Sequence, residues 1–315
     1  MTGGAGFIGS HLVEALVARG DKVRIVDNLC TGDLENLSSV VDRIEFYEGD
    51  VCDIDLLERV FDGVDTVFHQ AALASVPLSI ERPADVNRAC VDGTLTVLRA
   101  AHSQRVRRVV YAGSSSCYGN NEVGSNRETD PLQPLSPYAT AKLGGELYCK
   151  SFYHSYGLET VVLRYFNVFG PRQDPNSPYS AVIPIFVTRL LAGKAPTIYG
   201  TGKQSRDFTF VENIVLGNLL ASEAEGVCGK SINMADGAST SLLELMDALK
   251  DICGADIEPL FEEARNGEVM HSMADVSLAK QLLKYRPKVS LAEGLKRTVD
   301  AYRAELAKPH SKTTV

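Results

Sequence analysis

Two hydrophobic rhythms alternate along the first 170 residues. Short β-branched runs at 22–27 (KVRIVD), 43–50, 65–69, 107–113 (RRVVYAG) and 158–164 predict strands. Between them, 10–19 sets Leu12, Val13, Leu16 and Val17 at helical spacing, and 56–61, 89–101 and 138–156 read as further helices. Strands alternating with helices predict an α/β fold: a doubly wound parallel sheet covered on both faces. A helix near 211–224 leads into a last stretch of sheet at 230–233.

The pattern changes after residue 170. The segment 171–202 is rich in Pro, Gly and Asn and holds one helix, 182–191; from 239 onward the helical stretches are 242–252, 277–283 and 291–305. The division expected is a sheet domain of 1–170, completed by parts of 205–235, and a smaller, mostly helical lobe of 171–204 and 236–308. The ligand cleft is expected between them, and the polar tail 309–315 is expected to fray.

Composition narrows the function classes. The chain has 315 residues, 44% of them hydrophobic, and a formal net charge of -8, which disfavours nucleic acid as a partner because phosphate binding needs basic stripes. Its seven cysteines are scattered with no CxxC pair, so neither a disulfide framework nor a metal site is expected. No apolar run reaches 18 residues and no signal peptide is evident. The expectation is a cytoplasmic protein with no membrane partner.

Near the N-terminus, Gly3-Gly4-Ala5-Gly6-Phe7-Ile8-Gly9 spaces glycines so that backbone can approach a pyrophosphate at a helix N-terminus. Asp27 ends the next strand at the distance where an acid binds the adenosine ribose, and an acid there disfavours the extra phosphate of NADP; the cofactor read is NAD. Asp50 and Val51 would frame the adenine. A Rossmann-like fingerprint should follow a mid-sheet strand, yet only Met1 and Thr2 precede Gly3. The first strand therefore reads as truncated, with the native chain expected to begin upstream and Met1 to stand where a valine is usual.

Tyr138-Ala-Thr-Ala-Lys142 sets a phenol and an ammonium four residues apart, on one face of a helix. A free tyrosine is a poor base at neutral pH, with a pKa of about 10. A neighbouring lysine and a cationic nicotinamide would favour the phenolate. Ser114-Ser115-Ser116 follows a predicted strand in the same layout. Together with the fingerprint, these residues point to proton removal from an alcohol coupled to hydride transfer.

TGGAGFIGSHL, HQAA (69–72), SSSCYG (114–119), YATAK and LRYFNVFGPRQDP (163–175) resemble the extended short-chain dehydrogenase/reductase family. Within it the chain is similar to the NAD-dependent nucleotide-sugar 4-epimerases, above all the bacterial UDP-N-acetylglucosamine 4-epimerases. The resemblance implies that Tyr138 is the base at the 4'-hydroxyl, that Lys142 binds the nicotinamide ribose, and that Ser114 hydrogen-bonds the same hydroxyl with Ser115 as helper. It extends the cofactor set Gly3, Gly6, Gly9, Asp27, Asp50 and Val51 to Phe7, Ile8, Asn28, Ala71, Ala72, Asn87 and Phe166. Asn167, Arg206 and Arg265 would hold the substrate diphosphate, with Val182 and Glu268 beside the nucleotide. Glu268 replaces an aspartate common there, and Ala74 a lysine found in some relatives. A homodimer through 89–101 and 138–156 is the family's usual assembly.

The same resemblance separates the reactions. Sugar 4,6-dehydratases carry Asp-Glu where this chain has Ser115 and Ser116, and glucuronate decarboxylases a glutamate where it has Ser116. Their absence leaves 4-epimerisation of a UDP-hexose through a bound 4-keto sugar. Ser272 stands where glucose/galactose-restricted enzymes carry a tyrosine, which leaves room for a 2-N-acetyl group. UDP-glucuronate 4-epimerisation, another sugar-nucleotide reaction of the family, and a non-catalytic NAD-binding regulator on the same fold are the alternatives.

Overall fold

The computed structural model describes residues 1–120, 124–175, 181–264 and 269–307. The first half runs α1 (Phe7–Arg19), β1 (Val23–Asp27), β2 (Ile44–Glu48), α2 (Ile54–Phe61), β3 (Thr66–His69), α3 (Val76–Glu81), α4 (Pro83–Asn87), α5 (Gly93–Ser103), β4 (Arg108–Ser114), α6 (Pro137–Tyr156) and β5 (Glu159–Tyr165). It continues through β6 (Val168–Phe169), α7 (Val182–Leu191), β7 (Thr197–Tyr199), β8 (Ser205–Arg206), β9 (Thr209–Phe210), α8 (Val211–Glu223) and β10 (Ser231–Met234). The last stretch holds β11 (Thr240–Ser241), α9 (Leu242–Cys253), β12 (Leu260–Glu262), β13 (His271–Ser272), α10 (Ser277–Leu283) and α11 (Leu291–Leu306). The helix predicted at 89–101 begins earlier, at Pro83, and contains a π turn over Arg88–Asp92.

The main sheet is parallel throughout. β2 pairs with β1 on one side, and β3, β4, β5 and β10 follow one another on the other. Thr2 joins the two halves with parallel bridges to Val26 and His69. The first strand is thus a stub at the sheet centre. Thr2 N donates to Phe68 O, Gly3 N to Val26 O, Gln70 N to Thr2 O and Val26 N to Met1 O.

Successive strand residues enter different cores: Phe68, Val110 and Val161 join one cluster with α1 and α8, while Val67, Val109 and Val162 join another with α2 and α5. Burial of both faces is why these strands read as unbroken β-branched runs. A third core gathers Phe186, Leu190, Ile198, Leu245, Leu249, Leu295 and Val299. Two small sheets, β12–β7 and β11–β8–β13, have strands of two or three residues, too short to be read from the sequence.

α6 begins where Ser136 caps it, accepting from the Ala139 N–H at 3.1 Å, with Pro137 preset for the first turn. It ends at Gly157 in the left-handed region. A buried ion pair ties it to the sheet: Arg164 on β5 donates from Nε to Glu146 Oε2 at 2.9 Å and from Nη2 to Oε1 at 2.6 Å. Arg164 is 1% exposed and Glu146 fully buried. Ser231 and Lys150 also donate to Glu146, each at 2.8 Å. Burial by itself would raise the Glu146 pKa, but Arg164 and then Lys150 outweigh it and hold the carboxyl at about 2.

Arg164→Met leaves a buried carboxylate with only Lys150 and Ser231, and is expected to cost about 3 kcal/mol of stability in urea unfolding. Because the folded pKa of Glu146 is depressed, the stability it contributes is present above the ordinary glutamate pKa of about 4.3. It should fade in wild type as pH falls toward 2, with a smaller acid dependence in the variant.

Candidate active site

The glycine fingerprint folds as a tight turn into α1. Gly3 adopts φ +69°, and a Cβ there would stand 2.5 Å from Ala71 N. A Cβ on Gly9 would reach within 1.9 Å of Gly3 O, so the helix closes on the turn only because position 9 is glycine. Gly6 precedes α1 in extended conformation with no side-chain cap, and no acid lies in the first turn, which holds Phe7, Ile8 and Gly9. The N-terminal amides are left available to an anion.

Asp27 ends β1, 8% exposed. Its Oδ2 accepts from Ala5 N–H and its Oδ1 from Leu29 N–H, both at 2.9 Å. It thereby fixes the glycine turn, and a carboxylate retains lone pairs for ribose hydroxyls. Asn28 is exposed beside it. Asp50 accepts from Cys52 N–H at 2.8 Å and pairs with Arg88 at 3.3 Å. Val51 is buried against Gly93, where a Cβ would come within 2.6 Å of its Cγ2. Ala71 and Ala72 follow β3, and Asn87 is exposed at the end of α4. Phe166 is fully buried, its ring 6.1 Å from that of Tyr118. The open cradle, the uncapped helix end and the acid at β1 fit a dinucleotide.

β4 delivers Ser114 to the neighbourhood of Tyr138, whose pKa its hydroxyl lowers. Ser114 also bonds Ser116, Oγ to Oγ at 2.8 Å, and accepts from the Ser116 N–H at 3.2 Å. Ser116 is thus the serine bonded to Ser114. The 3₁₀ turn Ser115–Tyr118 folds residue 116 back, a local geometry invisible in the triplet itself.

The expected lowering of the Tyr138 pKa is not what this chain produces alone. Burial pushes the phenol above its ordinary range, and the Ser114 hydrogen bond offsets this only in part. Lys142 shares the helix face but is 3% exposed, with its ammonium 4.4 Å from the centre of the Tyr111 ring. Burial pulls its pKa down, against smaller upward effects of Cys90, Cys117 and Cys149. Desolvation, which the sequence does not show, outweighs the helical spacing.

Asn167, Val182 and Arg206 come together around a cavity of about 250 Å³ walled by Phe169, Ile183 and Phe208. Asn167 sits at φ +26° and donates from Nδ2 to Asp207 O at 3.3 Å. Ser272 on β13 is in register with Arg206 on β8. Arg265 and Glu268 lie outside the described residues. The sequence reading passed over Asp207, whose fully buried carboxylate accepts from Asp236, Gly237 and Ala274 N–H at 3.0 to 3.2 Å. Burial pushes its pKa up to about 7, with those three amides holding it back. Among the described residues no group of His, Cys, Asp and Glu is arranged to hold a metal, and no helix is long and apolar enough to cross a membrane.

Residues 1–235 match the NAD dependent epimerase/dehydratase family. The fold superposes on a UDP-glucose 4-epimerase from Thermotoga maritima, solved with UDP-glucose, with a TM-score of 0.93 and 40% identity over 97% of this chain and 98% of that one. A UDP-N-acetylglucosamine 4-epimerase from Methanobrevibacter ruminantium, in complex with UDP-N-acetylmuramic acid, gives 0.92 and 42% over 96% and 97%. A dTDP-glucose 4,6-dehydratase from Actinoplanes is 36% identical over 96% of this chain and 97% of its own. The chain belongs to the NAD dependent epimerase/dehydratase family, and its cofactor is NAD.

Asp27→Ala removes the acceptor shared by the Ala5 and Leu29 amides. Isothermal titration should show NAD affinity weakened about tenfold or more, the loss of one charge-assisted hydrogen bond. An unchanged affinity would place the ribose elsewhere.

Proposed function

We propose that the protein interconverts the 4'-epimers of a UDP-hexose, UDP-GlcNAc and UDP-GalNAc together with UDP-glucose and UDP-galactose. The observation that carries this reading is the serine turn after β4, in which Ser114 bonds Ser116 near Tyr138 and the residues after Ser114, Ser115 and Ser116, are hydroxyls and not carboxylates. The turn has no acid to expel water from the sugar, so the proton chemistry is confined to the alcohol. The similarity to two 4-epimerases supports it.

In this reading Tyr138 takes the 4'-hydroxyl proton and later returns it, while Ser114 holds the same hydroxyl. NAD, when bound, supplies the hydride acceptor and donor and a positively charged ring beside the phenol. Lys142 provides the second positive charge. Arg206 and Asn167 at the 250 Å³ cavity hold the diphosphate, with Arg265 assigned to the same task and Val182 and Glu268 to the nucleotide. Binding free energy placed in the nucleotide leaves the hexose free to present either face. Residues 1–170 with parts of 205–235 bind the cofactor, and the lobe of 171–204 and 236–308 binds the nucleotide sugar. A homodimer through α5 and α6 would cover Leu147 and Tyr148, 55% and 37% exposed on α6.

Purified protein given UDP-GlcNAc, UDP-glucose and UDP-glucuronate in separate reactions should form UDP-GalNAc and UDP-galactose. Conversion of UDP-glucuronate alone would move the assignment to the glucuronate epimerases. Tyr138→Phe should lower kcat about 10³-fold, in the range of a lost general base, with KM little changed. Ser272→Tyr should abolish turnover of UDP-GlcNAc and spare UDP-glucose; equal turnover of both would refute the pocket argument.

A further inference from the structure

β4 and α6 meet through two matched contacts. The hydroxyl of Ser114, at the end of β4, lowers the pKa of Tyr138 in the first turn of α6. Three residues earlier on the strand, Tyr111 touches Lys142 one helical turn later. Tyr111 is fully buried and makes two separate contacts with that lysine. Its ring lies under the ammonium at 4.4 Å, and its hydroxyl donates to the Lys142 carbonyl oxygen at 3.2 Å. Gly145 makes the second contact possible, because a Cβ there would stand 2.3 Å from the Tyr111 hydroxyl.

We propose that Tyr111 is a positioning residue for the reaction: its ring face seats the Lys142 ammonium on the helix face that carries Tyr138, and its hydroxyl fixes the backbone of the same residue. The inference rests on the epimerase reading for its kinetic consequence, though not for its geometry. A buried ammonium needs a compensating negative potential, and the face of an aromatic ring supplies one. The ionisable groups around Lys142 do not supply it in charged form. Cys90, Cys117 and Cys149 are buried thiols, and burial pushes Cys117 up to about 11 and Cys149 higher still. His69 on β3 is held neutral, its pKa lowered to about 3 by burial and then by Lys142 itself. Glu146, one turn further along α6, is engaged by Arg164, Lys150 and Ser231. Tyr138 is protonated in this geometry. The Tyr111 face remains as the electrostatic partner.

The test replaces Tyr111 by phenylalanine and then by phenylalanines of rising fluorine content, which keep the ring shape while weakening its negative face. Lys142 is followed by its side-chain ¹⁵N resonance, assigned by its disappearance in Lys142→Met, and in parallel by the pH profile of kcat. Tyr111→Phe keeps the ring face and should leave the Lys142 titration near its wild-type position, while loss of the hydroxyl's bond to the Lys142 carbonyl should lower kcat; an unchanged kcat would overturn the hydroxyl's part of the proposal. Each added fluorine should lower the pH at which Lys142 loses its proton, by about one unit across the series, and the alkaline limb of kcat should follow; one unit is a tenfold change in the charged-to-neutral ratio. Thermal melts across the series confirm that each variant is folded. A titration flat with fluorine content, at the wild-type position or below it, would overturn the proposal. The ¹⁵N titration reads the ring effect without turnover, so a protein that epimerises no UDP-hexose but shows the graded shift would refute the function and leave the positioning role standing.

Discussion

The ion pair between Glu146 and Arg164 sets where α6 sits, and with it Tyr138 and Lys142, the residues proposed for the proton chemistry. Tyr138, Lys142 and Glu146 lie four residues apart on one helix face, so holding the third fixes the rotation and height of the other two. The pair extends into a network. Arg164 Nη1 donates to the Tyr118 hydroxyl at 2.7 Å, and that hydroxyl donates to Asn233 Oδ1 at 2.7 Å. Asn233 in turn holds Asn126 O and, through its N–H, Glu128. One buried carboxylate thus joins α6, β5, β10 and the segment after the serine turn. Such a pair adds little stability over a well-packed apolar substitute, but breaking one side of it is costly. Its value here is in specifying one arrangement of α6 against the sheet.

A second buried carboxylate ties together segments of the chain's second half. Asp207 follows Arg206 directly and gathers amides from 236, 237 and 274, while its own N–H donates to Ser272 O at 2.8 Å. The residue assigned to the diphosphate therefore precedes Asp207 directly, and the residue assigned to the sugar gate is bonded to its backbone. In the glycine turn, close backbone approach does the corresponding work: Gly3 packs on Ala71 and Gly9 on Gly3, with no room for a Cβ on either glycine.

Much of this was legible in the chain. The five strands predicted in the first half and the helices between them lie within a few residues of the observed elements, because periods of 2 and 3.6 are local and burial on both sheet faces writes them strongly. The glycine turn, Asp27, and the placement of Ser114 beside Tyr138 follow from the same layout. The π turn over Arg88–Asp92 left no trace, since it adds one residue to a helix without altering its composition. Strands of two residues, such as β8 and β13, carry too few positions to show a period, although they bring Ser272 beside Arg206.

By itself, then, the sequence determined the layered α/β architecture, the family and the residue types available for proton and hydride chemistry, all of which depend on spacing along the chain. Only the tertiary structure decided that Ser116 holds Ser114, that Lys142 rests on Tyr111, that Arg164 is the partner of Glu146, and that burial raises rather than lowers the Tyr138 pKa. In RRVVYAG, Tyr111 reads as one more strand residue, and its lysine lies 31 positions away. Desolvation and pairing depend on which distant groups share a small volume, and that is settled only when helix and sheet close on one another.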